Sequence, residues 1–443
     1  MVSFRERPPR FVLCGVALEH KTYPGHALLC LSNIRLPPIK VGYLQFKLRC
    51  VRHFETMSGK IAWFAVLRAG YEHMPSYEDL EARIVDSGEC TVCGACITAC
   101  PDSHIKFIEG KPKRLKRTMD CVGCHTCYDA CYMLRHDLIK DIESSIMGWG
   151  RKESIGSYRR IVTARTKDRE IERTCQNGGI VTTLLLYALD NGVIDGALAV
   201  GRDAWAPVAC IASSRDEIIR AAGTKYGVVP VLKELRAAVV DHGLSRICVV
   251  GSPCHIQSVR YLKHKGLPLA SSVKLTIGLF CRENYEYTCL AEKVRAKGLN
   301  INRIDKLDVS NEFNIYAGGK KLSLPITEVK SCVPKHCLVC QDFAAELADI
   351  AIGSGGSPEG WSVVIIRTEQ GESMFSGMEG KGLIETKEIG DIVDGKGIAS
   401  RKKEKGRQTK EIFKLKEAGL EKKKIAARLG ITVERVSHRL DGI

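Results

Sequence analysis

Residues 90–101 read CTVCGACITACP, and residues 121–132 read CVGCHTCYDACY. Both stretches have the spacing C-x2-C-x2-C-x3-C, although Tyr132 stands in the second where Pro101 stands in the first. In such a run three thiolates on a tight loop bind one 4Fe-4S cubane, and the fourth binds the neighbouring cubane. The repeat therefore predicts two clusters, one on Cys90, Cys93, Cys96 and Cys131, the other on Cys121, Cys124, Cys127 and Cys100.

Structural zinc is the alternative for this segment. Zinc sites usually show two C-x2-C pairs, whereas two quartets follow one another here. Gly94 and Gly123 suit turns that bring backbone N–H groups toward sulfide. The chain has 20 cysteines, and in a reducing compartment clustered thiols more often bind metal than form disulfides. A two-cluster segment conducts electrons but does not itself make or break C–H bonds.

The net charge of +16 belongs to the two ends of the chain. Residues 1–73 carry 11 Lys and Arg against 4 Asp and Glu, residues 401–443 carry 14 against 6, and the part between them is almost neutral. The basic excess therefore says little about the central chemistry. No apolar run approaches the roughly 18 to 20 residues of a membrane span, and the first residues do not form a convincing secretory signal. We expect a cytoplasmic protein.

After Tyr158 the pattern changes to short apolar strands that alternate with helices. Strands rich in β-branched residues are predicted at Ile194–Val200, Ile247–Val250, Lys274–Phe280, Asp349–Ile352 and Val363–Arg367. Helices are predicted at Ile180–Leu189, Arg215–Ala222 and Val231–Asp241. The pattern indicates an α+β protein, in which a ferredoxin-like two-cluster domain precedes an α/β domain and a helical tail ends the chain.

Four cysteines of the larger domain fall at informative places. Cys254 follows the strand at 247–250, Cys281 ends the next predicted strand, and Cys337 and Cys340 form a C-x2-C pair. Two strand ends can meet in one crevice, so the spacing allows a third cubane, a zinc site or a buried set without metal. The remaining cysteines are expected to be buried thiols for the most part: Cys14, Cys30, Cys50, Cys175, Cys210, Cys248, Cys289 and Cys332.

Two turns are candidates for ligand binding. Gly178 and Gly179 open the helix predicted at 180–189, where N–H groups and glycines allow close approach of a pyrophosphate. A tight turn would need the same glycines. The segment Gly223–Tyr226 offers a hydroxyl, a cation and an aromatic face within four residues. Neither turn alone specifies a ligand.

Five short motifs, in their order and spacing, resemble the beta subunits of coenzyme F(420) hydrogenase and dehydrogenase. They are Gln176–Thr182, Ala222–Tyr226, Val250–Cys254, Gly278–Cys281 and Cys337–Cys340. The resemblance covers about residues 85–400. With its double-cluster segment the chain is most similar to the F(420)H2 dehydrogenase input subunit, which is also found fused in F(420)-dependent sulfite reductase. Formate dehydrogenase beta subunits are close relatives of this family.

The resemblance implies that the α/β domain binds FAD. The implied FAD contacts are Asn177, Gly178, Gly179, Thr182, Gly223, Thr224, Lys225 and Tyr226. A third 4Fe-4S cluster is implied on Cys254, Cys281, Cys337 and Cys340. Coenzyme F(420) is the implied substrate, because its deazaflavin exchanges only hydride, while FAD also exchanges single electrons with clusters and, through them, with another subunit of an electron-transfer complex. No catalytic side chain is predicted, since hydride transfer needs alignment and not a proton-transferring group.

The sequence differs from the family pattern at two places. His255 stands where Gln is expected after Pro-Cys, and 227–230 reads GVVP where Ser-Pro is usual. These differences remove no ligand, and they put the detail of the substrate side in doubt more than the activity. Because F(420) carries a phosphodiester and carboxylates, a basic lip is expected. Lys335, His336 and Arg282 are candidates for it, with ordinary surface charges as the alternative.

The predicted segments are an extension, a two-cluster domain, a flavin and cluster domain, and a basic tail: 1–73, 74–145, 155–398 and 401–443. Residues 1–73 lack a sustained period, and Met74 begins a stretch that leads directly into the first cluster motif. We expect translation to start at Met74. A genuine extra domain is the alternative.

The basic tail has apolar residues at helical spacing, with breaks at Gly419 and Gly430. Residues 421–440 resemble a helix-turn-helix. The side chains predicted to face outward are Arg435, Ser437, His438 and Arg439. A redox-sensing DNA-binding protein is therefore the alternative function. A docking arm that binds another subunit is the favoured interpretation, and nucleic acid is not an expected partner.

Overall fold

Residues 74–147, 151–309, 312–388 and 393–440 are described by a computed structural model. The interpretation of the extension at 1–73 lies outside these residues. The strands, in chain order, are β1 (Ile105–Ile108), β2 (Lys111–Arg114), β3 (Arg151–Glu153), β4 (Gly156–Tyr158), β5 (Arg160–Thr166), β6 (Gly196–Asp203), β7 (Ala206–Ala212), β8 (Ile247–Gly251), β9 (Val273–Leu279), β10 (Lys306–Val309), β11 (Glu312–Ala317), β12 (Lys320–Pro325), β13 (Ile350–Gly353), β14 (Ser362–Ile366) and β15 (Ile384–Glu388).

The α-helices are α1 (Tyr77–Leu80), α2 (Ala95–Ala99), α3 (Thr126–Asp129), α4 (Ile139–Met147), α5 (Arg169–Thr174), α6 (Ile180–Asp190), α7 (Arg215–Arg220), α8 (Leu235–Val240), α9 (Pro253–His264), α10 (Tyr287–Ala296), α11 (Ile326–Val329), α12 (Lys335–Val339), α13 (Glu369–Gly380), α14 (Val393–Glu417), α15 (Lys422–Leu429) and α16 (Val433–Leu440). Short 3-10 or π turns supplement them, such as Glu81–Val85, Tyr132–Leu138 and Val231–Glu234. Within the described residues, no helix combines the length and the apolar character that a membrane span requires.

A mixed sheet of eight strands organises the larger domain, in the order β15-β5-β14-β13-β9-β8-β6-β7. Its four central strands, β6, β8, β9 and β13, are parallel to their neighbours within that group, and the flanking strands are antiparallel. Val249 and Ile277, in two of these central strands, are fully buried, as expected for parallel strands covered on both faces. The predicted fold class is thereby confirmed as mixed α/β with a large mixed sheet.

The five strands predicted from the sequence correspond to β6, β8, β9, β13 and β14, and the three predicted helices correspond to α6, α7 and the segment 231–240. The sequence analysis missed β5, β7 and β15, which form the antiparallel ends of the sheet. It also missed a separate antiparallel sheet of β10, β11 and β12. The parallel order of the central strands, which the sequence left open, is now defined.

The ferredoxin-like segment packs directly against the larger domain. Ala95 and Ala99 of α2 belong to one apolar core with Leu232 and Leu235, and the backbone N–H of Leu232 donates to the carbonyl oxygen of Cys93 at 3.0 Å. Two short strands, β1 and β2, form an antiparallel hairpin between the two cysteine motifs. The two domains that the sequence separates therefore share a hydrophobic core.

The C-terminal tail begins inside a long helix. α14 continues without a break through residues 398–401, where the sequence analysis separates the flavin domain from the tail. Its last turns, α15 and α16 enclose a small apolar core that includes Ile412, Ile425 and Val436. Gly430, with a φ of 63°, ends α15 in the left-handed conformation that favours glycine. The two predicted tail helices are thus confirmed.

Two cysteines form a disulfide, which the sequence analysis did not expect. Cys289 on α10 is bonded to Cys332, which follows α11. The prediction of buried thiols is therefore wrong for this pair. It holds for Cys248, which is fully buried in β8, whereas Cys175 and Cys210 are half-buried free thiols.

Candidate functional site

The fold brings together the four cysteines predicted to form a third set. Cys254 lies in the first turn of α9, Cys281 follows β9, and Cys337 and Cys340 lie on α12 and just after it. Burial raises the pKa of Cys254 well above its ordinary value, and the neighbouring thiols of the other three cysteines raise it further. Because β8 and β9 are parallel, their carboxyl ends meet at one edge of the sheet and place Cys254 and Cys281 side by side. The backbone N–H of Cys281 donates to the carbonyl oxygen of Phe343 at 2.9 Å, three residues after Cys340. We refer to these four residues as the third cysteine set.

The two predicted cysteine sets of the ferredoxin-like segment follow the crossed pairing. One cavity is lined by Cys90, Cys93, Cys96 and Cys131, the fourth of which comes from the second motif. Burial raises the pKa of Cys96 well above its ordinary value, and the thiols of Cys93, Cys90 and Cys131 add to this effect. The fold therefore brings the four thiols of this first set together.

The cysteines of the second predicted set are also close to one another. Burial raises the pKa of Cys127 to about 11, with further contributions from Cys124 and Cys100, the latter from the first motif. His104 lies between its members, since its backbone N–H donates to Cys100 Sγ at 3.3 Å and its Nδ1 lies 3.5 Å from Cys121 Sγ. Among the described residues, no three His, Cys, Asp or Glu side chains converge on a position for a single metal ion. A cubane is bound by thiols that stand apart around it.

Helix α9 connects the third cysteine set with the first. Ser258 lies one turn after Cys254 on this helix, and its Oγ donates to Cys93 Sγ at 3.4 Å. Tyr132, buried with only 2% of its surface exposed, packs in the same apolar core as Cys254 and Cys93. Burial, followed by the nearby thiols of these two cysteines, raises the pKa of the Tyr132 phenol. The residue that replaces proline in the second motif therefore fills the space between two cysteine sets.

The two predicted flavin-binding turns lie next to each other. Gln176 connects them, because its Oε1 accepts from the backbone N–H of Thr224 at 3.4 Å while its Nε2 donates to the carbonyl oxygen of Leu307 at 3.0 Å. The strand β10, to which Leu307 belongs, therefore lies next to Gln176. Sequence analysis proposed the two turns separately, and the fold shows that one site can include both.

The paired glycines have roles within the protein itself. A Cβ atom on Gly178 would lie 2.5 Å from the carbonyl oxygen of Ala164, and the N–H of Gly178 donates to Ser362 Oγ at 3.1 Å. Gly179 has a φ of 72°, and a Cβ atom there would lie 2.8 Å from the Thr166 side chain. The tight-turn explanation therefore accounts for both glycines without a ligand.

Lys225 is used as a helix cap in this structure. Its Nζ donates to the carbonyl oxygens of Ala221, Ala222 and Gly223, so all three ammonium hydrogens have acceptors at the end of α7. Burial, with a smaller effect of Arg202, lowers the Lys225 pKa to about 8. A phosphate contact through Lys225 would require its side chain to leave these carbonyl groups.

Aromatic side chains line the region beside these turns, and the sequence analysis identified only Tyr226 among them. Tyr226 and Tyr285 both pack on Phe313, with ring centroids 6.3 Å and 5.3 Å apart. Trp205 belongs to the same apolar core. Trp205 Nε1 and Tyr285 Oη are buried and have no hydrogen-bond partner among the described residues. No spacing pattern could have found them, because they come from separate segments.

The two departures from the family pattern contact each other. His255 Nε2 donates to the carbonyl oxygen of Val229 at 2.8 Å, and its Nδ1 lies 2.9 Å from Ser252 Oγ. Burial lowers the pKa of His255 to about 4, so the imidazole is neutral at neutral pH. These contacts of His255 lie within the core of the protein.

The three residues predicted for a basic lip differ in their surroundings. Lys335 Nζ donates to the carbonyl oxygen of Ser87 at 2.8 Å and lies over the ring of Phe413, so it points toward the ferredoxin-like segment and the tail. His336 is buried, and burial lowers its pKa to about 4. Arg282 is exposed and interacts with Tyr226. Of the three candidates, Arg282 alone is exposed.

A lysine from the tail helix lies against the third cysteine set. Lys402 Nζ donates to the carbonyl oxygen of Cys281 at 2.6 Å. Burial lowers the Lys402 pKa, but the thiols of Cys340, Cys281 and Cys337 have a larger combined effect and raise it overall. The sequence analysis treated this part of the chain only as a basic tail and missed the contact.

The outward face predicted for the tail is partly covered. Arg435 and His438 are exposed, whereas Ser437 and Arg439 are half-buried. Arg439 interacts with Glu283 of the larger domain. The helix that would enter a DNA groove therefore has part of its surface against the protein.

A ferredoxin-like segment with two crossed cysteine sets, packed on a mixed sheet that assembles a third, defines an iron–sulfur component of an oxidoreductase. Three family models match the chain: a 4Fe-4S dicluster domain at residues 82–132, and the N-terminal and C-terminal models of the coenzyme F(420) hydrogenase/dehydrogenase beta subunit at 161–236 and 244–392. The chain belongs to the family of coenzyme F(420) hydrogenase/dehydrogenase beta subunits, which confirms the resemblance.

Two relatives and one solved structure illustrate the similarity. The beta subunit of the coenzyme F(420) hydrogenase of Methanothermobacter thermautotrophicus is 39% identical over 60% of this chain and 98% of its own length. A component of the F(420)H(2) dehydrogenase of Methanosarcina mazei is 28% identical over 66% of this chain and 83% of its own. A chain in the solved F(420)-reducing NiFe hydrogenase complex of Methanosarcina barkeri is 34% identical, with a TM-score of 0.56 over 58% of this chain and 92% of that chain.

Proposed function

We propose that this chain transfers hydride between coenzyme F(420) and FAD and relays single electrons through three 4Fe-4S clusters to a partner subunit. The observation that best supports this is the closeness of the third cysteine set to the flavin-binding turns. Gly227, directly after the second turn, forms a parallel bridge with Tyr285, in the segment that follows Cys281. The backbone N–H of Val228 donates to the carbonyl oxygen of Tyr285 at 3.1 Å, which ties the two segments together.

The residues present fit an FAD in this region. FAD supplies the conversion of one hydride into two single electrons, which a deazaflavin cannot perform. The chain contributes two adjoining turns, an aromatic wall, and buried donors on Trp205 and Tyr285 that have no protein partner among the described residues. The proposed contacts remain those of the sequence analysis: Asn177, Gly178, Gly179, Thr182, Gly223, Thr224, Lys225 and Tyr226.

The cysteines fit three clusters of four irons. The donor set is thiol-only, as thiolate-bound clusters require. The first set lines a cavity, and the cysteines of the other two sets are buried or half-buried. The proposed ligands are Cys90, Cys93, Cys96 and Cys131 for the first cluster, Cys100, Cys121, Cys124 and Cys127 for the second, and Cys254, Cys281, Cys337 and Cys340 for the third. Burial of thiols disfavours thiolate in the absence of metal, so metal binding must be coupled to loss of their protons.

Other subunits of an electron-transfer complex are the proposed partners. Relatives are subunits of F(420) hydrogenases and of an F(420)H(2) dehydrogenase. A cytoplasmic location remains a prediction. The DNA-binding alternative gains no support from the tail, because Arg439 lies against the larger domain.

The direct test compares hydride donors. Anaerobically reconstituted protein with FAD should reduce viologen dyes with F(420)H2 as donor, and NADH should be a poor substitute because no G-x-G-x-x-G fingerprint follows a strand. Reduction of the flavin at least as fast by NADH as by F(420)H2 would contradict the proposed substrate.

A cysteine variant separates hydride arrival from electron relay. In Cys254→Ala, stopped-flow absorbance should still show flavin reduction by F(420)H2, while viologen reduction through the clusters should stop. Cys248→Ala is the matched control, since Cys248 is a buried free thiol outside the three sets. Equal loss of viologen reduction in both variants would show that the effect comes from the fold and not from a ligand.

A further inference from the structure

The long helix α14 lies against the third cysteine set, although it begins beyond the last residue matched by the family model. It packs on α12, which carries Cys337. Gly406 makes this approach close, because a Cβ atom there would lie 2.6 Å from the carbonyl oxygen of Cys340 and 2.9 Å from that of Val339. A side chain at residue 406 would therefore push the helix away from the cysteines.

Lys402 lies one helical turn before Gly406, on the same face of α14. Its Nζ donates to the carbonyl oxygen of Cys281 at 2.6 Å, and its charge interacts with Cys340 and Cys337. One cation thus contacts the third set directly at Cys281, from a helix that carries none of the four cysteines.

The fold holds this helix in place at other positions as well. Lys403 forms an ion pair with Glu346 at 2.8 Å, and Lys396 forms one with Glu153 at 2.7 Å. Ala399, on the same helix, is fully buried in the core that includes Phe343. The position of Lys402 is therefore determined by packing along the helix and not by its own hydrogen bond alone.

We propose that Lys402 is the counter-charge of the third cluster and that α14 is a functional part of that cluster's site. This proposal rests on the third cluster of the proposed function. One-electron reduction adds one negative charge to the cluster, with no bond formed or broken. A fixed ammonium close to the thiolates stabilises the more negative state by Coulomb attraction. Lys402 therefore raises the midpoint potential of this cluster relative to a site without the cation.

The test is a potentiometric titration of the anaerobically reconstituted full chain, with dithionite as reductant and EPR as the readout. Lys402→Met keeps an unbranched stem of similar length and removes the charge. We expect reduction of the third cluster to become roughly tenfold less favourable, which is a shift of about 59 mV to lower potential for one electron. Lys402→Arg should keep the potential near that of the unaltered chain. The signal of the third cluster is identified by its loss in Cys337→Ala.

A matched control comes from the same helix. Lys416 is exposed and lies 14 residues further on, or about 21 Å along the helix axis. Lys416→Met removes an equal charge and should leave all potentials unchanged. A shift as large as that of Lys402→Met would mean that net charge alone is responsible and would overturn the proposal.

Iron content distinguishes the remaining outcomes. About eight irons in the unaltered chain, with no loss in Cys337→Ala, would remove the third cluster and with it the proposed function. About twelve irons with an unshifted potential in Lys402→Met would overturn the counter-charge and leave the proposed function standing. Should Lys402→Met fail to hold the cluster, Gly406→Ala decides, because it displaces the helix and keeps the charge. A lowered potential there supports the proposal, and an unchanged one contradicts it.

Discussion

The ferredoxin-like segment and the third cysteine set reach a similar arrangement of thiols in opposite ways. The eight cysteines of the ferredoxin-like segment fall within residues 90–131 in two copies of one spacing. The four cysteines of the third set are spread over residues 254–340 and meet only because strands β8 and β9 end at the same edge of the sheet. The ligands of a local motif can be identified from their spacing in the sequence. Ligands assembled by a fold require the fold, or a resemblance to a known one.

This difference decides how much the sequence alone could predict. The crossed pairing of the first two sets follows from spacing, and one cavity lined by Cys131 together with three cysteines of the first motif agrees with it. Short apolar strands such as β8 and β9 were predicted because their composition is that of buried strands. β5 and β15 were missed because charged residues interrupt their apolar character, such as Arg165 and Glu385, which pair between the two strands.

Contacts between distant segments account for the other misses. Lys402 and Gly406 lie in a stretch whose composition indicates only a basic helix. Residue type shows what a side chain can bind, and the fold determines what it does bind.

The largest expected effect tests whether the cysteine sets are independent. Cys337→Ala should lose about four of roughly twelve irons, all from the third set, because a cubane with one thiolate missing is poorly held. Cys127→Ala should lose the second cluster and leave the third. Iron and acid-labile sulfide analysis with EPR on anaerobic protein measures both. Loss of all clusters in either variant would show that the sets depend on each other. It would contradict the view that the local sets and the third set assemble independently.

A second prediction tests the buried contacts of Arg260, which support the elements that carry the third set. Arg260 of α9 donates to Asp349 at 2.9 Å and to Thr276 of β9 at 3.1 Å, and also to the carbonyl oxygen of Leu347. Arg260→Met leaves the Asp349 carboxylate buried without its charge partner. We expect a loss of about 3 to 5 kcal/mol in the free energy of unfolding, measured by chemical denaturation of the anaerobic protein.

An exposed pair provides the control for that variant. Arg165 contacts Glu385 at the surface of the same sheet, and Arg165→Met should cost no more than about 1 kcal/mol. We further expect Arg260→Met to release the irons of the third set before those of the ferredoxin-like segment, since only the third set is built on α9 and β9. Simultaneous release of iron from all three sets would mean that the ferredoxin-like segment depends equally on the contacts of Arg260.

The smallest expected effect concerns His255, which follows a ligand of the third set. His255→Leu keeps the apolar volume but leaves the Val229 carbonyl oxygen buried without its donor. The cost should be about 1 to 3 kcal/mol in the free energy of unfolding. His255→Gln introduces the residue expected from the family pattern and retains an N–H donor, so it should cost less. Denaturation midpoints and the rate of flavin reduction by F(420)H2 are measured together. Equal stability loss in both variants would show that the donor to Val229 is not what matters. A slower hydride step in His255→Gln, with stability unchanged, would show that this position acts on the substrate side.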